Sequence, residues 1–228
     1  DGEGGPELPR AADASRDQSY FLFATTREQL DYIRFPLGSL PKTEVRELAD
    51  QFNLPVAAKP DSQDICFVPE GSYAKVVERL RPGSGRGGDI VHLDGRVLGS
   101  HEGVIHYTIG QRRGLNVAVG EPLFVVKIDA PNRRVVVGPR EALMTSGLLL
   151  EELNWLGAGS LESAADAGAP VLVRVRSTRP PVLGRLGWQG DIPVIWFDEP
   201  EEGVARGQAA VLYDPDGTTR ILGGGFIL

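Results

Sequence analysis

The sequence predicts an α+β chain that is mostly β, with a helical N-terminal segment, a small central domain and a closed or sandwich-like β-domain at the C-terminal end. Three observations predict it. Apolar residues recur at helical spacing only before residue 81, and short β-branched runs set apart by Gly, Pro and Asp turns follow Asp89. The third is size, since 228 residues have room for one large or two to three small cores. Hydrophobic content of 41% with 24% charged residues is that of a globular protein. No apolar run approaches the ~18 residues that crossing a membrane requires.

Residues 1–15 are rich in Gly, Pro and Ala and read as an entry loop. The apolar run 18–23 is too short for periodicity to choose between helix and strand. Thr26-Arg27-Glu28-Gln29 has the form of a capping box, with Leu30 and Ile33 on the helix it starts. After Pro41, Val45, Leu48, Ala49 and Phe52 recur at helical spacing, and Asn53-Leu54-Pro55 stops them. This opening segment carries little apolar surface and is expected to pack on something outside the chain. Ser72 caps a third helix with Tyr73, Val76, Val77 and Leu80. Residues 89–100 read as a hairpin around Asp94-Gly95. Strands follow at 124–128 and 135–137, flanking Pro131-Asn132, and at 171–175, 182–186, 194–197, 209–213 and 220–227, with 140–147 as a connector.

A net charge of −7 argues against binding nucleic acid through overall charge, yet Arg174, Arg176, Arg179 and Arg185 fall in a stretch without an acid. His92, His101 and His106 do not form a metal-binding pattern. Cys66 is the single cysteine, so no internal disulfide forms and a reducing cytoplasm is the natural compartment. Its neighbours Asp61 and Asp64 disfavour a thiolate and only Lys59 favours it, so local charge leaves a small buried side chain and a reactive thiol both open. The chain starts at Asp1 without a methionine and is expected to belong to a longer protein.

Three further constellations carry chemistry. Arg16-Asp17-Gln18-Ser19-Tyr20 reads as a capped helix start or a binding segment. Gly110-Gln111-Arg112-Arg113-Gly114 places two forked guanidinium donors in a turn, suited to phosphate or simply solvated. Arg174 and Arg176, two apart on a strand, share a face that phosphate or water can occupy.

These segments together resemble the tRNA-specific 2-thiouridylase family, enzymes that place sulfur on the wobble uridine of certain tRNAs. The resemblance rests on Arg16-Asp17-Gln18-Ser19-Tyr20-Phe21-Leu22, Phe35-Pro36-Leu37-Gly38, residues 42–49, and Lys59-Pro60-Asp61-Ser62-Gln63-Asp64-Ile65-Cys66-Phe67. It continues through His101-Glu102-Gly103, Tyr107-Thr108-Ile109-Gly110-Gln111-Arg112-Arg113-Gly114-Leu115, Phe197-Asp198-Glu199-Pro200, Gly207-Gln208-Ala209 and Gly223-Gly224-Gly225. Arg206 stands where the family usually has proline.

The resemblance implies residues 1–58 as the helical tail of an absent nucleotide-binding α/β domain, 59–140 as a central domain with Cys66, and 141–228 as a β-barrel resembling those of translation factors. It implies a sulfurtransferase that adenylates uracil with ATP, Mg being the counter-ion, and transfers sulfur from a persulfide on Cys66. The ATP site and a partner cysteine are absent from these residues, so the chain alone is expected to be inactive. Arg16, Asp17, Gln18, Arg176, Ser177 and Gln208 match tRNA contacts of the family, with Ser177 where an aromatic is usual. Arg112, Arg113 and Arg174 are further RNA-facing candidates. Implied partners are tRNA and a persulfide carrier protein or cysteine desulfurase, with no membrane, for a monomer. The alternatives are a non-catalytic RNA-binding module with a structural cysteine, and a thiol sulfur carrier unrelated to tRNA.

Overall fold

The structure is a computed structural model and describes residues 5–59, 73–83, 85–117, 119–217 and 220–228. Cys66, most of the motif around it and Ser72 lie outside the described residues. The chain divides into two compact units. One comprises Asp1–Lys59, Ser146–Glu201 and Ala205–Leu228, and the other Pro60–Thr145 and Glu202–Val204.

In the first unit, Leu8–Pro9 forms a short strand β1, followed by a 3-10 turn at Ala14–Arg16 and another at Ser19–Leu22. Helix α1, Arg27–Tyr32, starts with both halves of the capping box in place: Gln29 N–H donates to Thr26 Oγ1 at 3.3 Å and Thr26 N–H to Gln29 Oε1 at 2.9 Å. Helix α2, Lys42–Gln51, ends where Asn53 turns left-handed at φ 53° and Leu54 N–H donates to the Ala49 carbonyl at 2.9 Å. No residue of α2 is buried, and Phe21, Tyr32 and Phe52 are exposed. Leu8, Tyr20, Phe23 and Leu30 are buried together with Val211, Tyr213 and Ile221. Some of the opening segment's apolar surface is therefore used within the chain itself.

The second unit begins with α3, Tyr73–Leu80, and a four-stranded sheet: β2, Gly88–His92; β3, Val97–His101; β4, Phe124–Asp129; and β5, Arg134–Gly138, in the order β3-β2-β5-β4. Asp94-Gly95 makes the β2–β3 turn as expected, and β2 runs parallel to β5. Ile90, Val125, Val135 and Val137, all 0% exposed, form its core with Leu115 and Leu123. The two strands flanking Pro131-Asn132 thus belong to this sheet and not to the C-terminal domain.

That domain is completed by a strand that the sequence pattern does not announce. The join between the units falls within the expected connector, residues 140–147, between Thr145 and Ser146, but the stretch is not a loop: a 3-10 turn at Arg140–Leu143 runs directly into β6, Met144–Trp155. Its three adjacent leucines and the bulge at Glu152, φ 51°, break the alternation by which a strand is recognised. Helix α4, Leu161–Asp166, capped by Ser160, leads to β7, Pro170–Arg174; β8, Val182–Gln189; β9, Ile192–Glu202; β10, Ala209–Tyr213; and β11, Arg220–Ile227. The order β11-β10-β7-β8-β9-β6 closes on itself through β11–β6 pairing, which makes a six-stranded antiparallel barrel. Strand β1 pairs with the start of β11. Val171, Val173, Ile195, Ala210 and Leu212 are 0% exposed and belong to the buried core, each large side chain contributing about 1.5–3 kcal/mol.

Closure depends on the glycines of β11. A side chain at Gly223, φ 124°, would stand 1.9 Å from the Asn154 carbonyl oxygen, and one at Gly225 would stand 2.7 Å from the Glu151 carbonyl oxygen. The backbones of β6 and β11 approach too closely there for any other residue.

Candidate nucleic-acid interface

Segments far apart in sequence meet on the first unit around Tyr20 and Tyr213. Asp17 is the centre of the N-terminal contribution. Its side chain is 1% exposed. Its Oδ2 accepts from Arg10 Nε at 2.8 Å, and its Oδ1 from the Ala11 and Ser19 amides at 3.2 and 3.1 Å. Burial pushes the Asp17 carboxyl up, but these donors outweigh it and hold the group below its ordinary range. Arg16 and Gln18, on either side, are exposed.

Asp13 acts similarly just upstream. It caps the 3-10 turn by accepting from Ser15 N–H at 3.0 Å and Ser15 Oγ at 2.6 Å, and it accepts from the first amide of α2, Lys42 N–H, at 3.4 Å. The Ser15 hydroxyl is the main cause that lowers its pKa, with the Lys42 amide next.

The barrel supplies the other side. Arg10 and Arg174 lie 5.6 and 5.8 Å from the Tyr213 ring centroid, within cation–π range. The Tyr20 hydroxyl donates to the Ala209 carbonyl at 2.7 Å, next to exposed Gln208. Burial raises the pKa of both tyrosines, and the Arg174 charge opposes that rise at each. Arg176 also acts on Tyr20 through its charge.

Strand β7 ends at Arg174, one residue before the expected end, and Arg176 and Ser177 lie in the loop beyond it. Arg174 and Arg176 therefore do not share a strand face. The cause is a turn in which Arg179 N–H donates to the Arg176 carbonyl at 3.2 Å while the Arg179 guanidinium pairs with Glu201 at 2.5 Å. Arg174 is half-buried over Tyr213, and its Nε is buried without a hydrogen-bond partner among the described residues. Ser177 is exposed.

Arg112 and Arg113 belong to the second unit, where a braced turn presents them. Gly110 N–H donates to the Val125 carbonyl at 2.8 Å and Val125 N–H to the Gln111 carbonyl at 2.9 Å, while Gly110 takes the left-handed φ of 84° that the turn requires. Gln111 Oε1 accepts from Thr108 N–H at 3.0 Å, and its Nε2 donates to the Arg113 carbonyl at 2.9 Å. Leu115, 5% exposed, anchors the turn in the core. Both arginines are exposed, without an ion-pair partner among the described residues.

Arg10 and Tyr213 do not stand out in the sequence. Neither carries a motif, and their roles come from contacts across the fold. Among the described residues no three His, Cys, Asp or Glu side chains are grouped as metal ligands, and no helix is long and apolar enough to cross a membrane.

Three family descriptions match in order along the chain: a tRNA methyl transferase HUP domain over residues 1–70, a tRNA methyl transferase PRC-barrel domain over 75–139, and an aminomethyltransferase beta-barrel domain over 145–227. The chain is 82% identical over 227 residues to the tRNA-specific 2-thiouridylase MnmA of Hyphomonas neptunium, covering 100% of this chain and 58% of that protein. It is 65% identical to the protein of the same name from a Caulobacter species, over 98% of this chain and 56% of the relative, and 60% identical to that of Maricaulis maris, over 100% and 55%. The chain belongs to the tRNA-specific 2-thiouridylase family. It spans somewhat more than half the length of these relatives.

Proposed function

We propose that this chain is the tRNA-holding and sulfur-delivering portion of an enzyme that makes 2-thiouridine at the wobble position of tRNA. The observation that carries the reading is the convergence of residues 16–18, the loop after β7 and Gln208 around Tyr20 and Tyr213. Arg16, Gln18, Arg176, Ser177 and Gln208 contact tRNA from this face, while Arg112 and Arg113 bind phosphate from the second unit. Forked guanidinium donors suit phosphate oxygens, and exposed amides suit base edges and sugars. The relatives' name, which specifies tRNA and 2-thiouridylation, supports the substrate.

In this reading ATP, with Mg, adenylates the uracil carbonyl oxygen, the terminal sulfur of a Cys66 persulfide attacks the carbon and AMP leaves. A partner cysteine from outside these residues then attacks Cys66 Sγ, so that the S–S bond to the transferred sulfur breaks, a disulfide forms with Cys66 and the sulfur stays on the carbon as the thiocarbonyl. A sulfur carrier protein or cysteine desulfurase loads the thiol. The described residues do not fit ATP: the glycine run 223–225 is filled by neighbouring strand backbone and offers no phosphate cradle. In this reading the ATP site lies outside the described residues. The chain alone is inactive in this reading, and the whole enzyme works in the cytoplasm as a monomer.

Binding of tRNA tests the reading. A gel shift between about 50 and 200 mM salt should show affinity falling steeply with salt. Arg16→Ala and Arg176→Ala should each weaken it. Binding that neither substitution alters would remove this face from the account.

A further inference from the structure

We propose that Asp17 is a positioning residue, not an RNA contact: its carboxylate, with Arg10 as counter-ion, sets the conformation in which Arg16 and Gln18 meet tRNA. The inference rests on the tRNA-binding reading above and assigns a distinct task to one member of that segment.

An acid on a phosphate-binding surface opposes binding unless its charge is neutralised and turned away. Asp17 meets both conditions. Its side chain is 1% exposed, and both oxygens are engaged by Arg10 Nε, Ala11 N–H and Ser19 N–H, so no surface is left for a nucleotide. The three donors sit before and after the exposed residues, so a single carboxylate closes the segment from residue 10 to residue 19 into a loop. That loop is fastened to the barrel on both sides: Arg10 lies over the Tyr213 ring, and Tyr20, directly after Ser19, is bonded to Ala209. Asp13 is likewise engaged by Ser15 and the start of α2. Both acids of the segment are thus turned to donors within the fold, and the exposed Arg16 and Gln18 are the side chains that the tRNA-binding reading assigns to RNA.

The arrangement gives Asp17→Asn an expected effect opposite to that of simple charge removal. The amide oxygen keeps the place of Oδ1 toward Ala11 and Ser19, while the amide nitrogen meets Arg10 Nε donor to donor and opens the loop. Removing a negative charge would by itself strengthen RNA binding. Loss of positioning weakens it.

The test is a binding cycle with tRNA on the full protein, comparing Asp17→Asn, Arg10→Ala, the Arg16→Ala/Gln18→Ala pair, and each of the first two in the background of that pair. We expect Asp17→Asn and Arg10→Ala each to weaken binding about tenfold, and to have no further effect once Arg16 and Gln18 are gone. Amide exchange at Ala11 and Ser19 should accelerate in the RNA-free Asp17→Asn protein. An undiminished effect of Asp17→Asn in the paired background would show that Asp17 touches RNA and overturn the proposal, as would unchanged or tighter binding. If Asp17→Asn does not fold, Arg10→Ala in the same cycle decides the question by the same outcomes. Binding insensitive to Arg16→Ala/Gln18→Ala would instead contradict the tRNA-facing reading itself.

Discussion

The Tyr20 hydroxyl donates to the Ala209 carbonyl at 2.7 Å, joining residues 189 positions apart and tying the N-terminal motif to the barrel strand beside Gln208. Burial raises the Tyr20 pKa, so the phenol stays a donor throughout the neutral range. Tyr20→Phe keeps the packing and leaves a carbonyl short of its partner. Urea denaturation should show a loss of about 1–3 kcal/mol, and tRNA binding should weaken as the motif loosens.

Barrel closure makes a sharper stability prediction. Gly223→Ala combines a φ of 124° with a methyl 1.9 Å from the Asn154 oxygen. It should cost about 3 kcal/mol or more in urea denaturation. Gly190→Ala, at φ 62° with nothing within 4 Å, should cost only about 1 kcal/mol.

In the second unit, Asp94 accepts from Arg96 N–H at 3.0 Å and Arg96 Nε at 2.8 Å, which holds its carboxyl down to about 2. A depressed carboxyl stabilises the fold above its unfolded value near ~4 and loses that contribution as pH falls through the folded value. Wild type should therefore melt above Asp94→Asn near neutral pH, and the two melting temperatures should converge toward about pH 2.

The braced turn at Gln111 gives an electrostatic prediction. If Arg112 and Arg113 bind phosphate, each Arg→Ala should lower the salt slope of tRNA binding by about one. Their exposed positions predict little change in melting temperature. An unchanged slope would mean that the turn is only solvated.

The elements most legible in sequence were those whose signals are local. The Thr26 capping box, the α2 stop at Asn53 and the Asp94-Gly95 hairpin each depend on residues within one turn of each other, and all three form as read. Strand β6 was not legible because its leucine run and bulge at Glu152 obscure alternation, and the barrel closes only through it. The same division holds at the candidate site. Residues 16–18 stood out as a motif, but that Asp17 faces inward depends on Arg10, and that Arg174 packs on Tyr213 depends on a strand pairing no local pattern announces. Local charge around Cys66 pointed away from a reactive thiol, and its assignment rests on the family.

Sulfur loading of Cys66 is the measurement that most directly separates a thiolating enzyme from an RNA-binding module with a structural cysteine. The protein is incubated with a cysteine desulfurase and cysteine, and its intact mass is compared with that of Cys66→Ser treated alike. The account predicts one added, reductant-labile sulfur atom on the wild type and none on the variant. Equal masses before and after treatment of the wild type, or the same addition on Cys66→Ser, would contradict it.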